Sequence, residues 1–230
     1  MKRSRRANAL MSYSHDSRGA GLAVLLVLGG FLAGAPAYSA SSDGWAQVRG
    51  FSAGLQLETN LIGVEDQDVN ADPDQLFIDD IGRGVVLNLD YTFTPAFTLR
   101  LAVGSALHET TQMDVEAYHA CSLIEAQWRF LPMNRVRPYL IGGLGGTALR
   151  MDSSGSTAET SGGMTTIGAG FLYNFTKHLL WDMSVRLDLI NWSHEKFRYE
   201  HTDGTTTELK APVNGDGRAG KFHMGLSWVF

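Results

Sequence analysis

Cysteine is all but missing from this chain. Cys121 stands alone among 230 residues, so no internal disulfide can form. Its place in an expected strand marks it as a core or lumen residue, not a reactive thiol. Proline is sparse at 6 residues, while glycine is abundant at 26. Charged residues make up 19% and hydrophobic residues 44%. That is too apolar for disorder and too polar for a helical membrane protein, and mean hydropathy is −0.08. Beyond residue 37 no apolar run reaches the length of a transmembrane helix. A membrane β-barrel escapes that requirement, because its apolar residues fall at every second position.

Residues 1–37 read as a cleavable signal peptide. Lys2, Arg3, Arg5, Arg6 and Arg18 form a basic leader, Gly21 to Leu32 is the apolar run, and Ala35-Pro36-Ala37 is a small-x-small cleavage pattern. The expected mature domain is 38–230. Losing five bases and one acid makes it more acidic than the formal −5 of the whole chain. That balance argues against nucleic acid as a partner.

The last residues alternate clearly. Phe222, Met224, Leu226, Trp228 and Phe230 share one strand face, and Lys221, His223, Gly225, Ser227 and Val229 share the other. Such a strand suits an outer-membrane barrel, apolar toward lipid and polar toward the lumen. His223, Gly225, Trp228 and Phe230 also match the C-terminal signal read by the barrel-assembly machinery.

Seven further segments repeat the pattern: Phe51 to Glu58, Val85 to Phe93, Phe97 to Val103, Ser122 to Phe130, Tyr139 to Leu149, Ile167 to Phe175 and Leu179 to Leu189. Each is expected to run roughly nine to twelve residues, enough for a tilted transmembrane strand. Short connections are expected at Thr94 to Ala96, Leu131 to Pro138 and Thr176 to His178. Long polar loops are expected at Asn60 to Gly82, His108 to Ala117, Arg150 to Gly163 and Ser193 to Gly217. Short periplasmic turns and long extracellular loops give the fold class: an all-β, eight-stranded antiparallel up-and-down transmembrane β-barrel. Aromatics gather near the short-turn rim, as an interfacial girdle does: Tyr91, Phe93, Phe97, Trp128, Phe130, Tyr139, Tyr173, Phe175, Trp181, Trp228 and Phe230.

A soluble barrel of lipocalin type would put the apolar face inside. The polar face here carries Glu58, Asp90, Arg100, Glu125, Arg129, Asp182, Arg186, Asp188 and Lys221. These acids and bases neutralise one another only by converging, which favours the inverse, membrane arrangement.

Gly84 to Leu101, Arg137 to Gly146 and Gly168 to Ile190, in that order and spacing, resemble the OmpW family of small outer-membrane barrels. The resemblance is weak at the first strand and in Ser193 to Gly217. It implies a narrow lumen, location in the outer membrane of a Gram-negative bacterium, and passage of small hydrophobic molecules. Eight strands leave a lumen that side chains just fill, so the charges read as a paired network, either a gate or structural ballast. Leu123, Leu140, Leu144 and Leu172 are expected to add apolar lumen surface. The alternative function is a non-conducting barrel whose loops contact host, phage or lipopolysaccharide.

Glu65 to Asp80 holds seven acids and no base. Ala71 and Phe77 spoil any calcium-loop pattern, and a solvated loop, or one bridged by divalent ions to lipopolysaccharide phosphates, fits better. Ser193-His194-Glu195 supplies residue types for acyl chemistry, but neighbours in a regular strand face opposite ways and cannot form a local triad. No enzyme activity, cofactor or metal site is expected, and the seven histidines show no ligand spacing. The expected partners are outer-membrane lipids and lipopolysaccharide, the assembly machinery and small hydrophobic solutes. A closed barrel has no free edge, so a monomer is expected.

Overall fold

The structure, a computed structural model, describes residues 49–62, 78–110, 115–153, 155–201 and 204–230. The signal peptide and residues 65–77 of the acidic loop lie outside them. Eight strands follow in order: β1 (Gly50–Ile62), β2 (Ile78–Thr94), β3 (Phe97–Thr110), β4 (Val115–Arg129), β5 (Val136–Ser153), β6 (Ser156–Asn174), β7 (Leu179–Glu200) and β8 (Thr206–Val229). Every neighbouring pair is antiparallel, and β8 returns to β1 to close the barrel. The closing register runs from Ser52 opposite Val229 to Ile62 opposite Ala219, and the Phe230 amide donates to the Phe51 carbonyl at 3.0 Å.

Alternation decides which face points where. In β3, Leu99, Leu101 and Val103 are exposed, whereas Thr98, Arg100 and Ala102 are buried. The same inversion holds around the ring. Leu57, Leu87, Ile124, Ile167 and Val185 face outward, while Gln56, Asn88, Glu125, Thr166 and Arg186 face inward. Exposing so much apolar surface to water is costly at about 25 cal/mol per Å². Facing lipid, the same surface is at home.

Short turns close one rim. The Thr94 hydroxyl accepts from the Phe97 amide at 3.1 Å, with Pro95 and Ala96 between. The Thr176 hydroxyl accepts from the His178 and Leu179 amides at 3.2 and 3.0 Å.

The opposite rim departs from expectation. Arg150 to Gly163 and Ser193 to Gly217 are not loops but continuations of β5–β6 and β7–β8, turning at Gly155 (φ 83) and beside Gly204 (φ 80). Above the lipid a strand needs no apolar face, so polar composition there does not signal a loop. β-Branched and aromatic residues such as Thr157, Thr160, Phe197, Tyr199, Thr206 and Thr207 sustain the pairing. β1 has 13 residues and β8 has 24. At a typical tilt these rise roughly 33 and 60 Å, against an apolar band roughly 25 Å tall.

Candidate functional site

The lumen carries the chemistry. Near the short-turn rim, Arg100 binds Asp90 in a bidentate fork, Nε to Oδ1 at 2.8 Å and Nη2 to Oδ2 at 2.9 Å. Its Nη2 also reaches Asp182 Oδ2 at 2.8 Å, across the barrel. The Tyr139 hydroxyl donates to Asp182 Oδ1 at 2.6 Å. Below this knot, Arg129 donates to Gln127 at 3.2 Å and Arg137 donates to the Asn174 side chain. In the middle, Arg186 pairs with Glu125 and donates to Ser184 at 3.3 Å. Toward the other mouth, Lys221 lies 3.0 Å from Asp188 and 3.7 Å from Glu58. It also donates to Cys121 Sγ at 3.4 Å, and His223 stands 3.1 Å from Glu58.

All nine polar residues expected in the lumen are placed there, each buried. Arg137 joins them unforeseen. With it the described lumen holds five carboxylates (Glu58, Asp90, Glu125, Asp182, Asp188) and five bases (Arg100, Arg129, Arg137, Arg186, Lys221). A buried charge without a partner costs several kcal/mol, so equal numbers allow the interior to pack. The Arg100, Tyr139, Arg137, Arg186–Glu125, Lys221 and His223 links each join different strands, and the network braces the barrel from within.

The apolar lumen residues divide. Leu123 and Leu172 are buried inside, at 6% and 1% exposure. Leu140 and Leu144 face outward, at 43% and 52%, which corrects the expectation for both. The true inward set of β5 is Arg137, Tyr139 and Ile141, so Tyr139 also leaves the aromatic girdle. The glycine run from Gly142 to Gly146 hid the register, since either phase of Tyr139-Leu140-Ile141 looks apolar. Arg137 breaks the tie: a guanidinium two residues before Tyr139 can only point inward, and period two then fixes the rest.

An apolar layer lies higher, of which the sequence pointed only to Leu123 and Cys121. Val86, Ala102, Cys121, Leu123, Met164, Ile190 and Ala219 pack together, with Ile62 and Trp192 against them. Above it, the inner face continues along one row of Cα partners, Ala117, Met151, Ala158, Phe197 and Leu209. Phe197, Tyr199 and Leu209 are 46%, 54% and 64% exposed on that face. The outer face of the same strands is charged. Lys196 and Lys210 both hold Glu208, at 3.2 and 3.0 Å. The hydrogen bonds from Lys210 and Lys196 keep this exposed carboxyl below its usual pKa.

The family model for the outer membrane protein beta-barrel domain matches residues 23–230. The chain belongs to that family. It is thereby an outer-membrane protein, and the barrel's apolar exterior faces lipid. No curated protein matches the sequence. Solved structures share the barrel at low identity. Neisserial surface protein A is 17% identical with a TM-score of 0.51, covering 78% of this chain and 97% of its own. Ail, the attachment invasion locus protein of Yersinia pestis, is 15% identical with a TM-score of 0.51, covering 80% and 100%. A major outer membrane protein from Thermus thermophilus is 11% identical with a TM-score of 0.54, covering 77% and 99%.

In this outer-membrane beta-barrel protein the expected assembly signal occupies the closing strand. His223 is buried in the lumen, and Gly225 lies so close to β1 that a Cβ there would clash with the Leu55 carbonyl oxygen. Trp228 faces outward with its ring stacked on His178 at 5.7 Å, and Phe230 is exposed beside β1. The His178 Nδ1 lies 3.0 Å from the Val229 carbonyl, so the β6–β7 turn grips the last strand.

Ser193 and His194 need correction as well. A bulge between Trp192 and His194 breaks the alternation, and Ser193 Oγ meets His194 Nδ1 at 2.8 Å. Glu195 pairs instead with Thr160 and Ala211 on the inner face. An exposed hydroxyl–imidazole pair without an orienting carboxylate lacks what activates a nucleophile.

Proposed function

We propose that this barrel aids the passage of small hydrophobic molecules across the outer membrane, taking them up at its extracellular mouth. The observation that carries the reading is the exposed apolar inner face of Phe197, Tyr199 and Leu209, continuous in register with the lumen wall. Apolar surface of that size, rimmed by charge, marks a binding surface. Below it, Trp192, Ile190 and Met164 extend the apolar lining inward. The balanced charge network lies deeper and opposes ion flow. The resemblance to the OmpW family, which is associated with small hydrophobic solutes, supports the same reading.

The test is accumulation of an apolar fluorescent probe by cells expressing the protein and by cells lacking it. Phe197→Glu with Leu209→Glu is expected to abolish the difference while the barrel still assembles. Equal accumulation with and without the wild-type protein would sink the reading.

A second reading, surface attachment, draws on the tall hairpins β5–β6 and β7–β8, which rise well beyond the lipid. Ail is named as an attachment protein. Adhesion or phage adsorption unaltered by trimming both hairpins would count against it. In either case, we take the barrel to be a monomer that contacts lipopolysaccharide and reaches its place through the barrel-assembly machinery.

A further inference from the structure

The upper lumen holds three imidazoles that the passage reading does not use. His108, His119 and His223 are all at least 98% buried, from β3, β4 and β8. His119 is fixed on both sides. Its Nδ1 lies 2.7 Å from the Asn60 side-chain amide, and its Nε2 lies 2.7 Å from the Thr147 hydroxyl. Thr147 donates its single hydrogen to the Ala120 carbonyl at 3.0 Å. It can therefore only accept from His119, whose proton sits on Nε2. The Asn60 NH2 group donates to Nδ1, which carries no proton. These bonds select the neutral imidazole.

The surroundings complete the picture. β1 contributes Glu58 and Asn60, β3 His108, β4 Cys121 and, paired with Arg186, Glu125, β5 Thr147, β7 Asp188 and Arg186 beside His223, and β8 Lys221 and His223. β2 and β6 contribute no buried titratable side chain at this level among the described residues. With neutral histidines, the three carboxylates Glu58, Asp188 and Glu125 exceed the two cations Lys221 and Arg186 by one charge. Protonating the three rings reverses the sign of the layer. The His108 and His119 rings, edge to face at 6.5 Å, would then repel. A proton on His119 Nδ1 would also face the Asn60 NH2 group and force that amide to turn. Its buried Oδ1 has no partner in the present arrangement and would become the acceptor. A charged His223 would draw Glu58 away from Lys221, loosening the ion pair between the Lys221 side chain and β1.

We propose that the histidine layer of His108, His119 and His223 is an acid-sensitive seal, closed while the rings are neutral and hydrated when they are protonated. Proton linkage sets the sign. If the open state binds more protons, closure weakens as pH falls below about 6.5, by up to roughly tenfold per pH unit for each added proton. This holds for any solute and does not depend on the passage reading.

The test is ion conductance in planar bilayers at about pH 7.5 and about pH 4.5, spanning the ordinary histidine range. The wild-type protein is expected to be silent at the first and to open at the second. His108→Gln, His119→Gln and His223→Gln combined should stay silent at both. A wild-type protein silent at both, or a triple variant that opens as the wild type does, would overturn the proposal. If the triple variant does not assemble, side-chain nitrogen shifts of wild-type His119 decide. The neutral Nε2–H tautomer is expected at neutral pH and a charged ring in acid. A ring already charged at neutral pH, or still neutral in acid, overturns it.

Discussion

Arg100 shows how a single side chain holds distant parts of this ring. It joins Asp90 on β2 to Asp182 on β7, all three buried. Arg100→Met leaves two carboxylates without their cation, and the loss should be roughly 3–5 kcal/mol. A lower urea midpoint for the folded band on a cold gel would register it. Replacing Glu125 and Arg186 together by Leu and Met removes both charges of one pair, and the same gel should show little change or a gain. Leu144 tests the corrected face. Leu144→Arg places a charge in lipid and should cost about 2–4 kcal/mol near the midplane; an arginine there without cost would return Leu144 to the lumen.

Elements differ in how plainly the sequence announced them. Within the lipid, each strand must alternate, so β2, β3, β4, β7 and the end of β8 were legible from their apolar faces alone. β5 was legible as a strand but not in phase, because its glycines carry no side chains to vote. The upper parts of β5 to β8 were invisible, since strands in water have no obligation to alternate. The Trp192–His194 bulge brings the Ser193 and His194 side chains together, a backbone irregularity that residue types do not encode. The tall hairpin also has a test. Trp192 and Gly215 are Cα partners, so joining them through an Asn-Gly turn should leave an assembled, heat-modifiable barrel. The shortened protein is expected to lose its hold on an apolar probe. Loss of assembly would show instead that the hairpin supports the fold.

At the scale of the whole molecule, the barrel inverts a soluble protein: leucines outside, arginines within. Equal buried acids and bases make that inversion affordable, and the fold and the balance were largely readable from the polar face of the strands. The exposed apolar patch at the mouth was not, because the Trp192–His194 bulge turns Phe197 and Tyr199 to the inner face against the alternation below it. The proposed barrel has an axis closed to ions at neutral pH and a mouth open to apolar molecules. Vesicles carrying the purified protein measure both together. At neutral pH they are expected to take up an apolar probe faster than empty vesicles while leaking ions no faster. Ion leakage through the wild-type barrel at neutral pH, or probe uptake no faster than in empty vesicles, would contradict the account.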